Sequence, residues 1–315
     1  MAKKVTSPKT AVKRPRRVKQ SVYKPFRLSK KIKPPAQANM PSAFRLMRNA
    51  LGLLKRHWKL FLGITLVYGF LTVILVRGFG GSLNLTDLKT TLKDGFGGQY
   101  GSLATGATLF SYLLGSAGSS SSPAGGVYQS LLMIIVSLAT IWALRQVLAK
   151  NKIRVRDTFY SGIYPLIPFI LVLLVVGLQL IPLSIGSWLY STVINNGIAV
   201  TALEKFIWIM LFFFLALLSL YMICSSLFAL YIVTLPNMTP MKALRSARQL
   251  VLHRRFLVLR KILFMPLALL VLGAIIMIPL IIFLTFAAEW IFFLLSMFVL
   301  TVVHAYMYTL YRELL

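Results

Sequence analysis

The chain has 315 residues, of which 58% are hydrophobic and only 13% charged, against about 25% charged in soluble domains. That much apolar surface excludes a water-soluble globule. Thirty-five Lys and Arg against six Asp and Glu give a formal charge of +29, and the single cysteine, Cys224, excludes an intrachain disulfide or a thiolate metal cluster.

The first segment, 1–41, carries 13 Lys or Arg within its first 33 residues, six prolines and no acidic residue. It cannot bury enough apolar area to offset its ordering entropy, so it is expected to be a disordered basic tail. Residues 42–315 are expected to form the membrane domain. It opens with an amphipathic stretch capped by Ser42, with Phe44, Met47, Ala50, Leu51 and Leu54 on one face and Arg45, Arg48, Lys55 and Arg56 mostly elsewhere.

Six apolar runs follow, at about 58–76, 127–148, 163–183, 206–235, 262–286 and 290–311. Each is long enough to cross roughly 30 Å of hydrocarbon. The fourth is longer than needed and must tilt or project. All five Trp residues fall near run ends, where an amphipathic ring prefers the headgroup level. The first run starts too late for a cleaved signal peptide, so it reads as an uncleaved anchor. Cys224, inside the fourth run, reads as a small packing residue.

Between the first two runs, the Gly/Ser-rich segment 78–126 reads as a flexible outer loop. Its part Leu103 to Leu114 is too short to cross and is weakened as a helix by Gly106 and Gly115; it reads as lying on the outer surface. Before the fifth run, Thr239 and Pro240 open a second amphipathic helix. Met241, Leu244, Ala247 and Val251 recur on it at helical spacing, with Lys242, Arg245, Arg248, Arg254 and Arg255 as the charged complement.

The basic residues sort into alternate gaps. The segments 1–59, 145–161 and 236–261 together with Arg312 hold 31 of the 35, run-end residues Lys59 and Arg145 included, whereas the alternate gaps hold only Arg77, Lys89, Lys93 and Lys205. Lys and Arg are retained on the cytoplasmic side during insertion. The expected architecture is therefore an all-α protein with six transmembrane helices, amphipathic interfacial helices at the inner leaflet, and both termini cytoplasmic.

An internal echo points to a 2+2+2 repeat. Shifting by 198 residues aligns Leu46 with Leu244, Leu54 with Leu252, Arg56 with Arg254 and Trp58 with Phe256. The third run, Pro168 to Leu183, and the fifth, Pro266 to Leu280, each start at a proline, hold a central Gly (177 and 273) and end on Ile-Pro-Leu. The middle unit is weakest, its lead-in Lys152 to Ser161 being short.

Acid–base or metal chemistry needs clustered carboxylates, histidines or thiols. Asp87, Asp94, Asp157, Glu204, Glu289 and Glu313 show no helical pairing, and His57, His253 and His304 lie apart. No catalytic, cofactor-binding or metal-ligating residue is assigned, and an enzyme is not expected. The runs offer uncharged polar groups, among them Gln179, Ser225 and Ser226, as helix-packing or cavity candidates. The basic residues Arg45, Arg48, Lys55, Arg56, Lys242, Arg245, Arg248, Arg254 and Arg255 are the candidate contacts for anionic lipid headgroups. The tail's only aromatics are Tyr23 and Phe26, which argues against nucleic acid as the partner. The leading expectation is a non-enzymatic membrane-organising or accessory subunit that engages anionic lipid or an acidic membrane-protein partner. The alternative is a transporter or channel for a neutral or amphiphilic solute.

The helix Met241-Lys-Ala-Leu-Arg-Ser-Ala-Arg-Gln-Leu-Val-Leu252, the proline-bounded third and fifth runs and the closing Tyr306-Met-Tyr-Thr-Leu-Tyr311-Arg-Glu-Leu resemble an uncharacterised family of bacterial six-span integral membrane proteins. That family is similar in pattern to the membrane domain attached to some glycerophosphodiester phosphodiesterases. The resemblance covers about residues 42–315 and implies a helical module in a bacterial cytoplasmic membrane. No acidic metal site here matches a phosphodiesterase, so hydrolase activity does not carry over.

Overall fold

The computed structural model describes residues 41–77, 101–116, 123–252 and 254–315. The basic tail up to residue 40, most of the Gly/Ser-rich loop (78–100 and 117–122) and His253 lie outside the described residues. Among the described residues the secondary structure is helical, with no strand.

Twelve α-helices follow in chain order among these residues: α1 (Ala43–Arg56), α2 (Trp58–Thr72, continued by a π-turn Val73–Arg77), α3 (Gly101–Ser116), α4 (Pro123–Leu148), α5 (Val155–Gly162), α6 (Leu166–Leu178), α7 (Ile181–Asn195), α8 (Ala202–Ser226), α9 (Ala229–Ile232), α10 (Pro240–Val251), α11 (Arg255–Phe283) and α12 (Thr285–Leu314). Among the described residues, six helical stretches are long and apolar enough to cross a membrane: Trp58–Val76, Gly125–Leu148, Leu166–Ile194, Ala202–Ile232, Arg255–Phe283 and Thr285–Leu314. The protein is thus a multi-pass membrane protein by length and composition.

The third stretch runs on to Ile194, past the Leu183 limit of its apolar run. It is broken at Gln179 and Leu180, and α7 restarts with a proline in its first turn. Pro182 supplies no N–H, so one bond of the ladder is missing there. The equivalent Pro279 lies inside the unbroken α11. Two Ile-Pro-Leu exits therefore fold differently. The fourth stretch is also divided, α8 ending at Ser226 and α9 starting at Ala229.

Ser42 caps α1 as expected, its hydroxyl accepting from the Arg45 N–H at 3.3 Å. Of the expected stripe on α1, Ala50 and Leu54 are buried and Met47 is half-buried, but Phe44 and Leu51 are exposed, and Leu46 is buried in their place. On α10 the buried residues are Ala243, Ala247 and Val251, while Met241 is exposed. Both corrections have one cause. An interfacial helix has two apolar directions, toward protein and toward lipid, and periodicity alone does not separate them.

Glycines 106 and 115 do not prevent α3 from forming. A Cβ on Gly106 would stand 3.2 Å from Ile278 Cγ2, so close packing on α11 outweighs the weak propensity. Leu109, Phe110 and Leu113 of α3 form a small core with Met277 and Ile281 of α11 and Ala288 and Phe292 of α12. The larger core joins α1, α2, α4 and α12 to parts of α8 through α11. Its polar contacts include Thr65 Oγ1 and Thr301 Oγ1 at 3.3 Å.

Candidate functional site

Three short basic helices and the start of α11 gather at one end of the helices. There α1 packs on α12 and α11, α5 on α4 and α2, and α10 on α6, α8 and α9. Arg45, Arg48, Lys55 and Arg56 are exposed on α1, and Lys242, Arg245 and Arg248 on α10. Arg254 and Arg255 are half-buried. The Arg255 guanidinium donates to the Tyr221 hydroxyl and lies 4.8 Å over the Tyr221 ring, so its charge rests on an exposed tyrosine of α8. The Cys224 thiol points to the Arg255 carbonyl at 3.8 Å, a packing position.

Within this end lies a cleft of about 1000 Å³ between the α1–α2 junction and the segment joining α4 to α5. Arg56, Lys59, Lys150, Lys152 and Arg154 line it, with His57, Asn151 and seven apolar residues including Trp58, Leu60 and Val147. No carboxylate is among the described lining residues. Of the five cations only Arg56 was among the sequence candidates. Lys152 and Arg154 belong to the stretch read as a short lead-in and Lys150 lies just before it, and these three meet Arg56 and Lys59 only when α2 and α4 lie side by side.

The walls are built by local geometry. Helix α4 ends with the Lys150 N–H donating to the Val147 carbonyl and the Asn151 N–H to the Gln146 carbonyl, both at 3.0 Å. This is the Schellman pattern. Lys150 occupies its left-handed position at φ 61°, where glycine is the usual residue and a side chain costs about 1–2 kcal/mol. The amide of Asn151 donates to Gln146 Oε1 at 2.6 Å, a polar clasp in place of the usual apolar contact. Asp157 Oδ2 then accepts from the Arg154 N–H at 3.1 Å, fixing the first turn of α5.

Two glycines seat α5. A Cβ on Gly63 of α2 would stand 2.6 Å from Val155 Cγ2, and one on Gly162 would stand 2.9 Å from the Ala139 Cα. Small residues of this kind let helix backbones approach closely.

Deeper polar groups are used for packing. Arg145 of α4 donates through Nη1 to the Thr234 carbonyl at 2.8 Å and through Nη2 to its hydroxyl. The Thr234 hydroxyl donates in turn to the Tyr231 carbonyl at 2.8 Å. The Tyr231 hydroxyl and His304 Nδ1 are 3.0 Å apart and hydrogen-bonded. Among the described residues, His304 Nε2 and Lys261 Nζ are buried and have no hydrogen-bond partner. Tyr306 donates to the Lys261 carbonyl at 2.9 Å.

At the α6–α7 break, Gln179 Nε2 donates to Ser226 Oγ at 2.7 Å, and Ser219 Oγ donates to the Gln179 carbonyl at 2.6 Å. Ser225 turns back on its own helix, donating to the Met222 carbonyl at 2.8 Å. Gln179 and Ser226 are thus brought together and Ser225 is not. Among the described residues, no three His, Cys, Asp or Glu side chains are grouped so as to hold a metal ion.

No protein-family model matches the sequence, and no curated protein or solved structure matches it either.

Proposed function

We propose that the protein is a non-enzymatic membrane-organising or accessory subunit whose basic face engages anionic lipid or an acidic membrane-protein partner. The observation that carries this reading is the gathering of exposed Arg and Lys from α1, α10 and the α4–α5 segment at one end of the apolar helices. Each cation near an anionic surface contributes about 1 kcal/mol, so charges spread over three helices give strong, salt-sensitive attraction. The basic face is the cytoplasmic one, with both termini on that side, because cationic segments resist translocation. The membrane is taken as a bacterial cytoplasmic membrane, a reading supported by the sequence resemblance alone. The 2+2+2 repeat stays a proposal too, supported by the paired lead-in helices α1 and α10.

The test is lipid enrichment around the full chain. Protein reconstituted into mixed phosphatidylcholine and phosphatidylglycerol nanodiscs should retain more of the anionic lipid than the starting mixture contains, and less of that excess at high salt. Retention equal to the starting ratio would overturn the reading.

The alternative, a conduit for a neutral or amphiphilic solute, has one observation in its favour. The chain breaks within an apolar stretch at Gln179, whose Oε1 is buried without a partner, and broken helices are where transporters place their sites. Swelling of proteoliposomes in small neutral solutes, abolished by Gln179→Leu, would support this reading against the first.

A further inference from the structure

We propose that the cleft between the α1–α2 junction and the α4–α5 segment is a binding site for a lipid whose headgroup carries two phosphate groups. The inference rests on the basic-face reading above and narrows it to one site and one ligand class.

Charge is the first argument. Among the described residues, five cations and no carboxylate line about 1000 Å³. Like charges held this close repel one another, and a bound anion relieves that repulsion. A headgroup with one phosphate would leave most of the cleft uncompensated. Two phosphates on one lipid match it better, and basic pockets between helices at the cytoplasmic boundary suit such headgroups.

Position is the second. The cleft lies where α2 begins and α4 ends, so its mouth adjoins two apolar stretches. Half of its lining is apolar, with Trp58 at the start of α2 and Leu148 at the end of α4. A soluble phosphate or an RNA backbone would gain nothing from that half, whereas acyl chains would continue along it.

The third argument is the backbone. Lys150 holds a left-handed conformation at φ 61°, and the Asn151–Gln146 clasp and the Asp157–Arg154 turn contact fix the residues on either side of it. Strained non-glycine backbone persists where the surroundings over-determine it, and it clusters at ligand clamps. Here it places an ammonium group on the wall of a basic cleft.

The experiment compares two anionic lipids at equal charge. Full-length protein would be reconstituted in phosphatidylcholine nanodiscs doped with cardiolipin, or with twice the molar amount of phosphatidylglycerol, and retained lipid counted by native mass spectrometry. The expected result is one retained cardiolipin per chain, bound at least tenfold tighter than phosphatidylglycerol. The triple variant Lys150→Gln, Lys152→Gln, Arg154→Gln should lose roughly 100-fold, from about a fivefold loss per cation. Lys205→Gln, placed on the opposite side of the membrane from the cleft and exposed there, should leave retention within a few-fold of the parent.

Equal retention of the two lipids, or a folded triple variant that binds as the parent does, would overturn the assignment. So would displacement of cardiolipin by inorganic pyrophosphate or by a short RNA, which would make the ligand a soluble one. If the triple variant elutes as an aggregate, Lys59→Gln on the opposite wall and the parent's own lipid preference decide the matter. The broader reading fails separately, if phosphatidylglycerol is not enriched over phosphatidylcholine. Enrichment without a cardiolipin preference sinks only the cleft.

Discussion

The Tyr231 hydroxyl lies 3.0 Å from His304 Nδ1, joining α9 to α12 inside the larger core, while the other ring nitrogen of His304 has no hydrogen-bond partner among the described residues. The rings of Tyr308 and Tyr311 crowd the same phenol, with centroids 6.1 and 6.2 Å from that of Tyr231. One polar contact between long-separated residues therefore pins the short α9 against the last helix.

Tyr231→Phe leaves both imidazole nitrogens unpaired. It should lower stability by about 0.5–1.5 kcal/mol, with ~0.6 as the average for hydrogen bonds inside membranes. His304→Leu removes the orphaned nitrogen as well as the bond. The double variant should be less destabilised than the sum of the two singles, because an apolar pair leaves nothing unsatisfied. Unfolding by titration with a denaturing detergent measures all four states, and strictly additive losses would show that the pair is not coupled.

Gly162 and Gly52 provide a matched pair. A Cβ at Gly162 would meet the Ala139 Cα at 2.9 Å, while one at Gly52 has nothing within 4 Å. Gly162→Ala should cost about 1–3 kcal/mol by overpacking, since a backbone atom cannot step aside as a side chain can. Gly52→Ala lies in α1, on a face with space, and should stabilise by about 0.5–1 kcal/mol. The same unfolding titration checks both, and the prediction is the opposite sign rather than the magnitudes.

The proposed threading places Arg248 and Lys205 on opposite sides of the membrane. In a Cys224→Ser background, a cysteine at position 205 should react with an impermeant maleimide added outside intact cells. One at position 248 should react only after lysis. Both residues are exposed, so burial does not confuse the readout. Labelling of position 248 from outside would reverse the orientation.

Local chemistry was legible in the sequence, and what depends on neighbours was not. Ser42 before α1 and Thr239-Pro240 before α10 mark helix starts by short-range rules, and the helices begin there. Thr201-Ala-Leu-Glu204 carries the same kind of signature. The Thr201 hydroxyl accepts from the Glu204 N–H at 3.3 Å and Glu204 Oε2 accepts from the Thr201 N–H at 3.2 Å, so a search for capping boxes would have found the start of α8. The break at Gln179 is different in kind. Pro182 and Pro279 sit in near-identical surroundings in sequence, yet only the first follows a break, where Ser219 and Ser226 of α8 supply partners to Gln179. The cleft is further still from local rules. Its two walls, 53–60 and 147–155, are brought together by the packing of α5 on α2 and α4, so no window along the chain contains both.

Lys150 sharpens the separation between stability and binding. Its φ of 61° is the conformation that glycine adopts without penalty, so Lys150→Gly removes about 1–2 kcal/mol of backbone strain. Against that stands the larger entropy that glycine loses on folding, about 0.5–1 kcal/mol. The net expectation is a gain of roughly 0.5–1 kcal/mol. A lysine kept there for its ammonium group predicts the reverse for lipid: Lys150→Gly should be more stable in the detergent titration and retain cardiolipin about fivefold more weakly. Lys150→Asn tests the same idea with less unfolded-state entropy, since asparagine tolerates the left-handed region better than lysine does. If both variants gain stability and keep the parent's lipid retention, the strain has no connection with phosphate binding, and Lys150 ends α4 without contributing to the cleft.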